Sequence, residues 1–228
     1  MKLSIIIPVY NEEKTVGEIL ARVLALDIDK EIIVVDDGST DGTGGVLAQA
    51  TTENPETVIV IKMDMNRGKG AAVRAGITAA AGDFIAIQDA DLEYTPEEIP
   101  LLLEPIVRGE TDVVYGSRFL GGRGGNILHY IGNRFLTFAT NVLYGTRLTD
   151  METCYKIIRA DVLKGLPLSS NGFDIEPEIT ARLARAGHHI VELPVSYAGR
   201  SFAAGKKIKW ADGFAALWML VKVMFSGH

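Results

Sequence analysis

The chain has 228 residues, of which 47% are hydrophobic and 23% are charged, and its formal net charge is -6. This composition is that of a globular protein large enough to bury a substantial core, and it excludes a disordered chain. The negative charge argues against a general nucleic-acid-binding protein, because phosphate backbones recruit basic surfaces. Cys154 is the single cysteine, so no internal disulfide can form, and we expect a cytoplasmic location. The first apolar run, residues 3–7, is too short for a signal-peptide core, and no run of about 18 apolar residues predicts a spanning helix.

Strand-like and helix-like segments alternate through the first half of the chain. The residue pattern predicts strands at 3–7, 31–35, 57–62, 84–87 and 112–115, and helices at 12–26, 43–50, 68–81 and 96–107. Such alternation is typical of a mainly parallel sheet with helices on both faces. The predicted fold class is therefore α/β.

The pattern is looser after Gly116. A glycine-rich loop with Arg118 and Arg123 comes first, and an apolar helix is predicted at 126–144. A strand at 153–159, a helix at 175–186, a strand at 189–197, a basic loop at 199–209 and a helix at 210–225 complete the prediction. We expect one main domain over residues 1–200, with the basic loop and an amphipathic helix at 201–228 packed on the same domain.

Acidic side chains follow an apolar run that has the character of a buried strand. Asp89 and Asp91 come directly after residues 84–87. Two carboxylates at the end of a strand suggest a hard divalent cation that carries a phosphorylated substrate. The alternative is an acidic turn that only caps the strand, since aspartate is a preferred turn residue.

Three polar loops are predicted to converge on one crevice. They span residues 8–12, 36–39 and 89–91, after the first, second and fourth strands. Carboxyl ends of parallel strands share one edge of a sheet, where acidic groups repel one another unless a cation or ligand donors compensate them. This favours a site for a metal-bound nucleotide, in which Tyr10 can stack or hydrogen-bond and Asp37 can accept from a base or ribose.

The loop at residues 66–72 has two glycines before a predicted helix, where an anion could bind. It lacks the spacing of a Walker phosphate loop, and no dinucleotide fingerprint opens the first helix. A phosphate-loop nucleotidase and a Rossmann dehydrogenase are therefore disfavoured. A tight connection that uses glycine for close packing explains this loop equally well.

The motifs taken together resemble glycosyltransferase family 2. Pro-Val-Tyr-Asn-Glu-Glu, Val-Val-Asp-Asp-Gly-Ser-Thr-Asp-Gly-Thr, Asn-Arg-Gly-Lys-Gly and Gln-Asp-Ala-Asp-Leu-Glu are similar to its nucleotide-sugar half. Gly-Ser-Arg-Phe, Gly-Asn-Arg-Phe-Leu-Thr and Thr-Asp-Met-Glu-Thr resemble its dolichyl- or polyprenyl-phosphate mannosyltransferase branch. The resemblance implies a GT-A fold and inverting, metal-dependent transfer of a hexose from a nucleotide sugar to a lipid phosphate. Mannose from GDP-mannose is the expected donor group.

The resemblance also implies which residues bind the donor and the cation. Base and ribose would be surrounded by Pro8, Tyr10, Glu12, Val35 and Asp37, with Asp89 and Ala90 also on the substrate. Mg²⁺ or Mn²⁺ would be held by Asp89, Asp91 and Glu93, directly or through water. Oxygen ligands suit these hard ions, and the metal would neutralise charge on the departing diphosphate.

Arg118 and Arg134 are predicted to bind the acceptor phosphate, with Asp91 completing the catalytic set. A guanidinium binds phosphate oxygens in a planar, bidentate fashion, although a snorkelling arginine on a helix surface is the alternative for Arg134. A phosphate monoester is largely dianionic at neutral pH, so no general base is needed. If the acceptor were a sugar hydroxyl, Asp150 or Glu152 would be the base candidate. A phosphate-site or structural role is the other interpretation of that pair.

The last part of the chain is predicted to close the site and to approach a membrane. Arg200 and Lys206 resemble a segment that closes over the diphosphate, whereas charge alone is also consistent with a solvated loop. The helices at 126–144 and 210–225 could lie peripherally on the cytoplasmic face of a membrane, or complete the core, a dimer or a contact with a membrane protein.

Other functions remain open from the sequence. Glucose or N-acetylglucosamine could be transferred from a UDP-sugar to polyprenyl phosphate or to a saccharide hydroxyl. A nucleotide-sugar-binding or membrane-scaffold protein without turnover is the alternative from another class.

Overall fold

A sheet of seven strands organises the computed structural model, which describes residues 1–121, 127–199 and 210–226. In chain order the strands of this described part are β1 (Leu3–Val9), β2 (Lys30–Asp36), β3 (Val58–Lys62), β4 (Phe84–Ile87), β5 (Val113–Ser117), β6 (Lys156–Arg159) and β7 (Ile190–Pro194). Their spatial order is β3-β2-β1-β4-β6-β5-β7. Strand β6 runs antiparallel to both of its neighbours, and the other pairs are parallel. The predicted mainly parallel α/β sheet is confirmed.

Eight α-helices connect or flank these strands within the described ranges. They are α1 (Val16–Leu24), α2 (Thr43–Glu53), α3 (Lys69–Ala79), α4 (Ile99–Val107), α5 (Ile127–Tyr144), α6 (Ala160–Gly165), α7 (Ile175–Arg185) and α8 (Trp210–Phe225). Every residue of β5 is buried, as is nearly every residue of β1 and β2. Since alternate side chains of a strand point to opposite faces, such unbroken burial means that both faces of the sheet are covered.

Several elements differ from the sequence prediction, among them β7, which ends at Pro194 rather than at residue 197. The first helix begins at Val16 rather than residue 12, and the backbone N–H of Glu12 donates to Thr43 Oγ1. Strand β6 is shorter than predicted: Thr153 Oγ1 donates to the Gly116 carbonyl instead, and Cys154 N–H donates to Tyr94. Helix α6, a single short turn of helix after β6, was not predicted.

A second apolar cluster joins α8 to α5 and α7. Leu136 of α5 and Ala181 of α7 pack there with Met219, Leu220 and Val223 of α8. The Tyr144 hydroxyl donates to the Leu220 carbonyl at 2.5 Å. The last helix therefore packs on the rest of the chain through its inner face. Within the described residues, we find no helix with the length and apolar character that crossing a membrane requires.

Candidate active site

The loops after β1 and β2 are tied to each other at the carboxyl edge of the sheet. Asn11 N–H donates to Ser39 Oγ at 2.9 Å, and Asn11 Oδ1 accepts from Thr40 N–H at 2.8 Å. Asn11 has a φ of 51°, a left-handed conformation that asparagine tolerates better than most residues. Pro8 of β1 and the buried Val35 of β2 lie opposite each other in register just before these loops. Four of the five predicted base-and-ribose residues therefore occupy one neighbourhood: Pro8, Val35 and the half-buried Tyr10 and Glu12.

Asp37 holds the loop that follows β3. Its two carboxylate oxygens accept the backbone N–H groups of Arg67 and Gly68, each at 2.7 Å. Gly68 has a φ of +97°, and a Cβ there would lie 2.4 Å from the Asn171 carbonyl oxygen. Glycine is required at this position, which supports the tight-connection interpretation of residues 66–72. Asp37 keeps the second lone pair of each oxygen for a ligand.

A buried chain of alternating charges links the β3 loop to the end of β4. Lys69 Nζ lies 2.7 Å from Asp89 Oδ1 and 3.1 Å from Glu176 Oε1. The other oxygen of Glu176 accepts from Lys156, whose ammonium also donates to the Met151 carbonyl at 3.2 Å. Burial alone raises the pKa of Asp89, but the charge of Lys69 outweighs it and holds that pKa below its ordinary value. Asp89 is therefore an ionised carboxylate with a protein cation already beside it.

The three carboxylates predicted to hold a metal, Asp89, Asp91 and Glu93, each contact a different group of the protein. Asp91 Oδ1 accepts from the Glu93 N–H at 3.1 Å, and Glu93 Oε2 accepts from the Tyr197 hydroxyl at 2.5 Å. Across the ranges that the structure describes, no three acidic, histidine or cysteine side chains are grouped closely enough to hold a metal by themselves. The oxygen donors suit Mg²⁺ or Mn²⁺, which is usually held by one or two carboxylates with water and substrate phosphates. The chemistry of these oxygen donors fits such a cation, and its further ligands would have to come from water or substrate.

Arg118 is held by a carboxylate that sequence analysis considered as a base. Its Nε and Nη2 donate to the two oxygens of Asp150, both at 2.7 Å, and its backbone N–H donates to the same carboxylate at 3.0 Å. Asp150 is fully buried, and the Glu192 carboxylate accepts its N–H at 2.9 Å. A carboxylate engaged by three donors is poorly available to take a proton from a substrate, so Asp150 positions Arg118.

Arg134 approaches the same place from α5. Its Nη1 donates to the Thr149 carbonyl at 3.3 Å. The guanidinium carbons of Arg134 and Arg118 each lie 5.7 Å from the centre of the Phe119 ring. The structure thus brings the two predicted acceptor arginines to one aromatic ring.

Tyr197 connects this arginine pair to the acidic edge. Its hydroxyl donates to Glu93, and the Arg118 guanidinium lies 5.1 Å from the centre of its ring. Tyr94, next to Glu93, hydrogen-bonds the backbone of Cys154, and its ring centre lies 5.3 Å from that of Tyr197. The predicted donor and acceptor groups are therefore neighbours in the structure.

Glu152 is the other base candidate, and its environment differs from that of Asp150. The residue is half-buried, and its Oε1 is enclosed without a hydrogen-bond partner in the described part of the chain. Burial raises the pKa of Glu152 to about 7, with Lys156 lowering it and Glu176 raising it. An enclosed carboxylate oxygen without a partner is costly, which favours the protonated form.

The structure adds four residues that the sequence prediction did not assign to the site: Lys69, Glu176, Glu192 and Tyr197. Lys69 lies in a motif that was interpreted as a phosphate loop, a tight connection or a family motif without a role for the lysine itself, and the other three come from distant parts of the chain. Ala90 is buried beside Asp89. Arg200 and Lys206 lie outside the described residues.

Replacing Asp150 with Asn should lower the free energy of unfolding by about 3 kcal/mol, because a buried guanidinium loses its counter-charge. The measurement is urea unfolding followed by circular dichroism. Asp161→Asn is the matched control, since Arg159 donates to Asp161 from Nε at 3.0 Å and also from Nη2, but on the exposed surface. That change should leave the stability almost unaltered. Equal losses in the two variants would contradict the buried role of Asp150.

Comparisons with known proteins show the family to which the chain belongs. Residues 4–166 match the sequence model of the family described as Glycosyl transferase family 2. Undecaprenyl-phosphate mannosyltransferase of Micrococcus luteus is 32% identical over 217 residues, covering 90% of this chain and 87% of that protein. Dolichol-phosphate mannosyltransferase of Pyrococcus furiosus is 32% identical over 221 residues, covering 91% of this chain and 61% of that protein. Dodecaprenyl-phosphate galacturonate synthase of Rhizobium johnstonii is 29% identical, covering 99% of this chain and 67% of that protein.

The fold is shared with solved glycosyltransferases. A crystal structure of glucosyl-3-phosphoglycerate synthase from Mycobacterium tuberculosis with Mn²⁺, uridine-diphosphate and phosphoglyceric acid superposes with a TM-score of 0.76. It is 20% identical and covers 100% of this chain and 80% of that one, so the likeness shows the fold alone. With the family match over most of the sequence, the chain is a member of glycosyltransferase family 2 and has the GT-A fold.

Proposed function

We propose that the chain transfers a hexose from a nucleotide sugar to the phosphate of a polyprenyl lipid, with inversion at the anomeric carbon. The observation that carries the proposal is the pair Arg118 and Arg134, held at one aromatic ring beside the acidic edge of the sheet. The names of the three relatives share a polyprenyl or dolichyl phosphate, whereas the sugar differs among them. Mannose from GDP-mannose is the favoured donor group, since two of the three are mannosyltransferases.

The nucleotide sugar is proposed to bind at the loops that follow β1 to β4. Pro8, Tyr10, Glu12, Val35 and Asp37 would surround the base and ribose. Asp91 and Glu93, with Asp89 and Ala90 beside them, would meet the diphosphate and its Mg²⁺ or Mn²⁺. When bound, the cation would neutralise negative charge on the departing diphosphate. Because Lys69 compensates Asp89, Asp91 is the carboxylate proposed to contribute most to the cation.

The acceptor half is proposed to bind the lipid phosphate through Arg134 and Arg118. Asp150 occupies the Nε and Nη2 donors of Arg118, which leaves its remaining N–H groups to face the phosphate. A phosphate oxygen attacks the anomeric carbon, the bond from that carbon to the nucleoside diphosphate breaks, and the electron pair leaves with the diphosphate. A dianionic phosphate needs no base for this step. Arg200 and Lys206 are proposed to close over the diphosphate and exclude water.

Exposed apolar side chains on α5 and α8 are proposed to rest on the membrane that holds the lipid. Phe135 and Phe138 of α5 and Phe214, Trp218 and Phe225 of α8 are between 58% and 79% exposed. Contiguous exposed apolar patches mark interaction sites, and Arg134 directly precedes Phe135 on the same helix. If the lipid phosphate binds at Arg134, the polyprenyl chain of the lipid lies beside these apolar side chains. This favours a bilayer, rather than a second copy of the protein, as the partner of this surface.

The proposed transfer is tested by mass spectrometry with short-chain polyprenyl phosphate, Mn²⁺ and a panel of GDP-mannose, UDP-glucose and UDP-N-acetylglucosamine. The wild-type chain should form a glycosyl-phosphoryl-polyprenol from one donor. Arg134→Ala should raise the KM for the lipid phosphate roughly tenfold or more, because a charged hydrogen bond is lost, and leave the donor KM nearly unchanged.

Arg108→Ala is the control, since Arg108 pairs with Glu104 on the exposed surface of α4. Transfer to a saccharide hydroxyl but not to the lipid phosphate would replace the proposed acceptor. Donor binding without any product would favour the non-catalytic alternative.

If the exposed apolar side chains of α5 and α8 bind a membrane, a Phe214→Ser, Trp218→Ser double variant should lose vesicle binding. Sedimentation with phosphatidylethanolamine and phosphatidylglycerol vesicles should show at least roughly tenfold weaker binding, because two large apolar side chains no longer leave water. Leu101→Ser is the control, as Leu101 is 60% exposed on α4, away from this surface. Unchanged vesicle binding, or a dimer that dissociates in the variant, would contradict the membrane assignment.

A further inference from the structure

Glu152 lies among groups whose charges are already balanced. Arg118 pairs with Asp150, Lys156 pairs with Glu176, and Lys69 bridges Glu176 and Asp89. The positive charges of these three cations balance the negative charges of the three carboxylates. Glu152 lies in the segment between Asp150, whose carboxylate binds Arg118, and Thr153, whose carbonyl accepts from Lys156. It is therefore a surplus carboxyl between the proposed donor and acceptor groups.

The two oxygens of Glu152 are placed differently. Oε1 is enclosed and accepts no hydrogen bond from any residue that the structure describes. The residue as a whole is half-buried, and Oε2 is not among the enclosed oxygens without a partner, so Oε2 is the oxygen assigned to contact with a ligand. A neutral carboxyl group tolerates an enclosed carbonyl oxygen far better than a carboxylate does, because no full charge is removed from water. The proton then resides on Oε2, at the open side.

We propose that Glu152 binds the acceptor as a neutral acid and donates a hydrogen bond from Oε2 to the lipid phosphate. This assignment rests on the proposed function and adds to it a donor that carries no charge. A dianionic phosphate next to Arg118 would meet Asp150 and Glu176 nearby, so a further ionised carboxylate would repel it. A protonated Glu152 supplies a hydrogen bond instead of that repulsion.

The protonation state of Glu152 makes acceptor binding depend on pH. Burial places the pKa of Glu152 at about 7, and Asp150, Glu176, Lys156 and Arg118 are the charged groups that face it. As pH rises through this value, the carboxyl loses its proton, the hydrogen bond disappears and like charges face each other. The phosphate itself is already largely dianionic above its second pKa of about 6. Weaker binding above neutral pH therefore reports on Glu152 rather than on the ligand.

The test is calorimetric binding of geranyl phosphate, a short prenyl monophosphate, to the whole protein between pH 6.5 and pH 9. In the wild type, the Kd should rise roughly tenfold across this range, as expected for a lost hydrogen bond and added repulsion. Glu152→Gln keeps a donor without a titrating group, so its Kd should stay within about twofold. Glu152→Ala should bind about fivefold more weakly than the wild type at pH 6.5 and show the same flat profile.

Two outcomes would overturn the assignment, and the first of them leaves the proposed function intact. One is the same pH dependence in the wild type and in Glu152→Gln. The other is loss of sugar transfer in Glu152→Gln with normal geranyl phosphate binding, which would make Glu152 a base. A wild-type protein that binds no geranyl phosphate at any pH would reject the lipid-phosphate acceptor itself, and the role of Glu152 with it.

Discussion

Compensation of negative charge at the carboxyl edge of the sheet is the constraint on which the rest of this structure depends. A parallel sheet brings the loops after β1, β2 and β4 together, and those loops carry several aspartates and glutamates. The protein neutralises part of that charge internally, through Lys69 at Asp89 and Lys156 at Glu176. Other acidic groups are satisfied by backbone N–H groups, as at Asp37. Asp91 accepts from the Glu93 N–H and Glu93 accepts from the Tyr197 hydroxyl, and these two carboxylates are those proposed to face a diphosphate and its cation.

The same principle links the two halves of the site. Arg118 would be an isolated buried cation without Asp150, and the segment containing Asp150 is in turn held by Glu192 of β7. Tyr197 then bridges from Arg118 to Glu93. Each contact positions a group for the next one. Binding of a nucleotide sugar and binding of a lipid phosphate are therefore proposed to occur in adjoining parts of one network, with Glu152 between them.

Local chemistry made the strands, the helices and the acidic edge predictable from the sequence. Asp89 and Asp91 directly follow an apolar strand, and the turn residues after β2 mark another loop of the same edge. The antiparallel direction of β6 was not predictable, because an apolar strand has the same pattern in either direction. Nor were the partners of the functional groups. Arg118 and Asp150 are separated by 32 positions, and Glu176 reaches Lys69 only because the fold brings the amino-terminal ends of α7 and α3 together. Such pairs depend on tertiary packing, which a residue pattern does not contain.

The central claim is that an oxygen of the lipid phosphate attacks the anomeric carbon of the sugar directly. The most direct test is a reaction in which the three terminal oxygens of the prenyl phosphate are ¹⁸O. The account predicts a phosphodiester product that retains all three labelled oxygens, one of them bonded to the anomeric carbon, and an unlabelled nucleoside diphosphate. A product whose sugar carries unlabelled oxygen at the anomeric carbon, or a labelled nucleoside diphosphate, would contradict it.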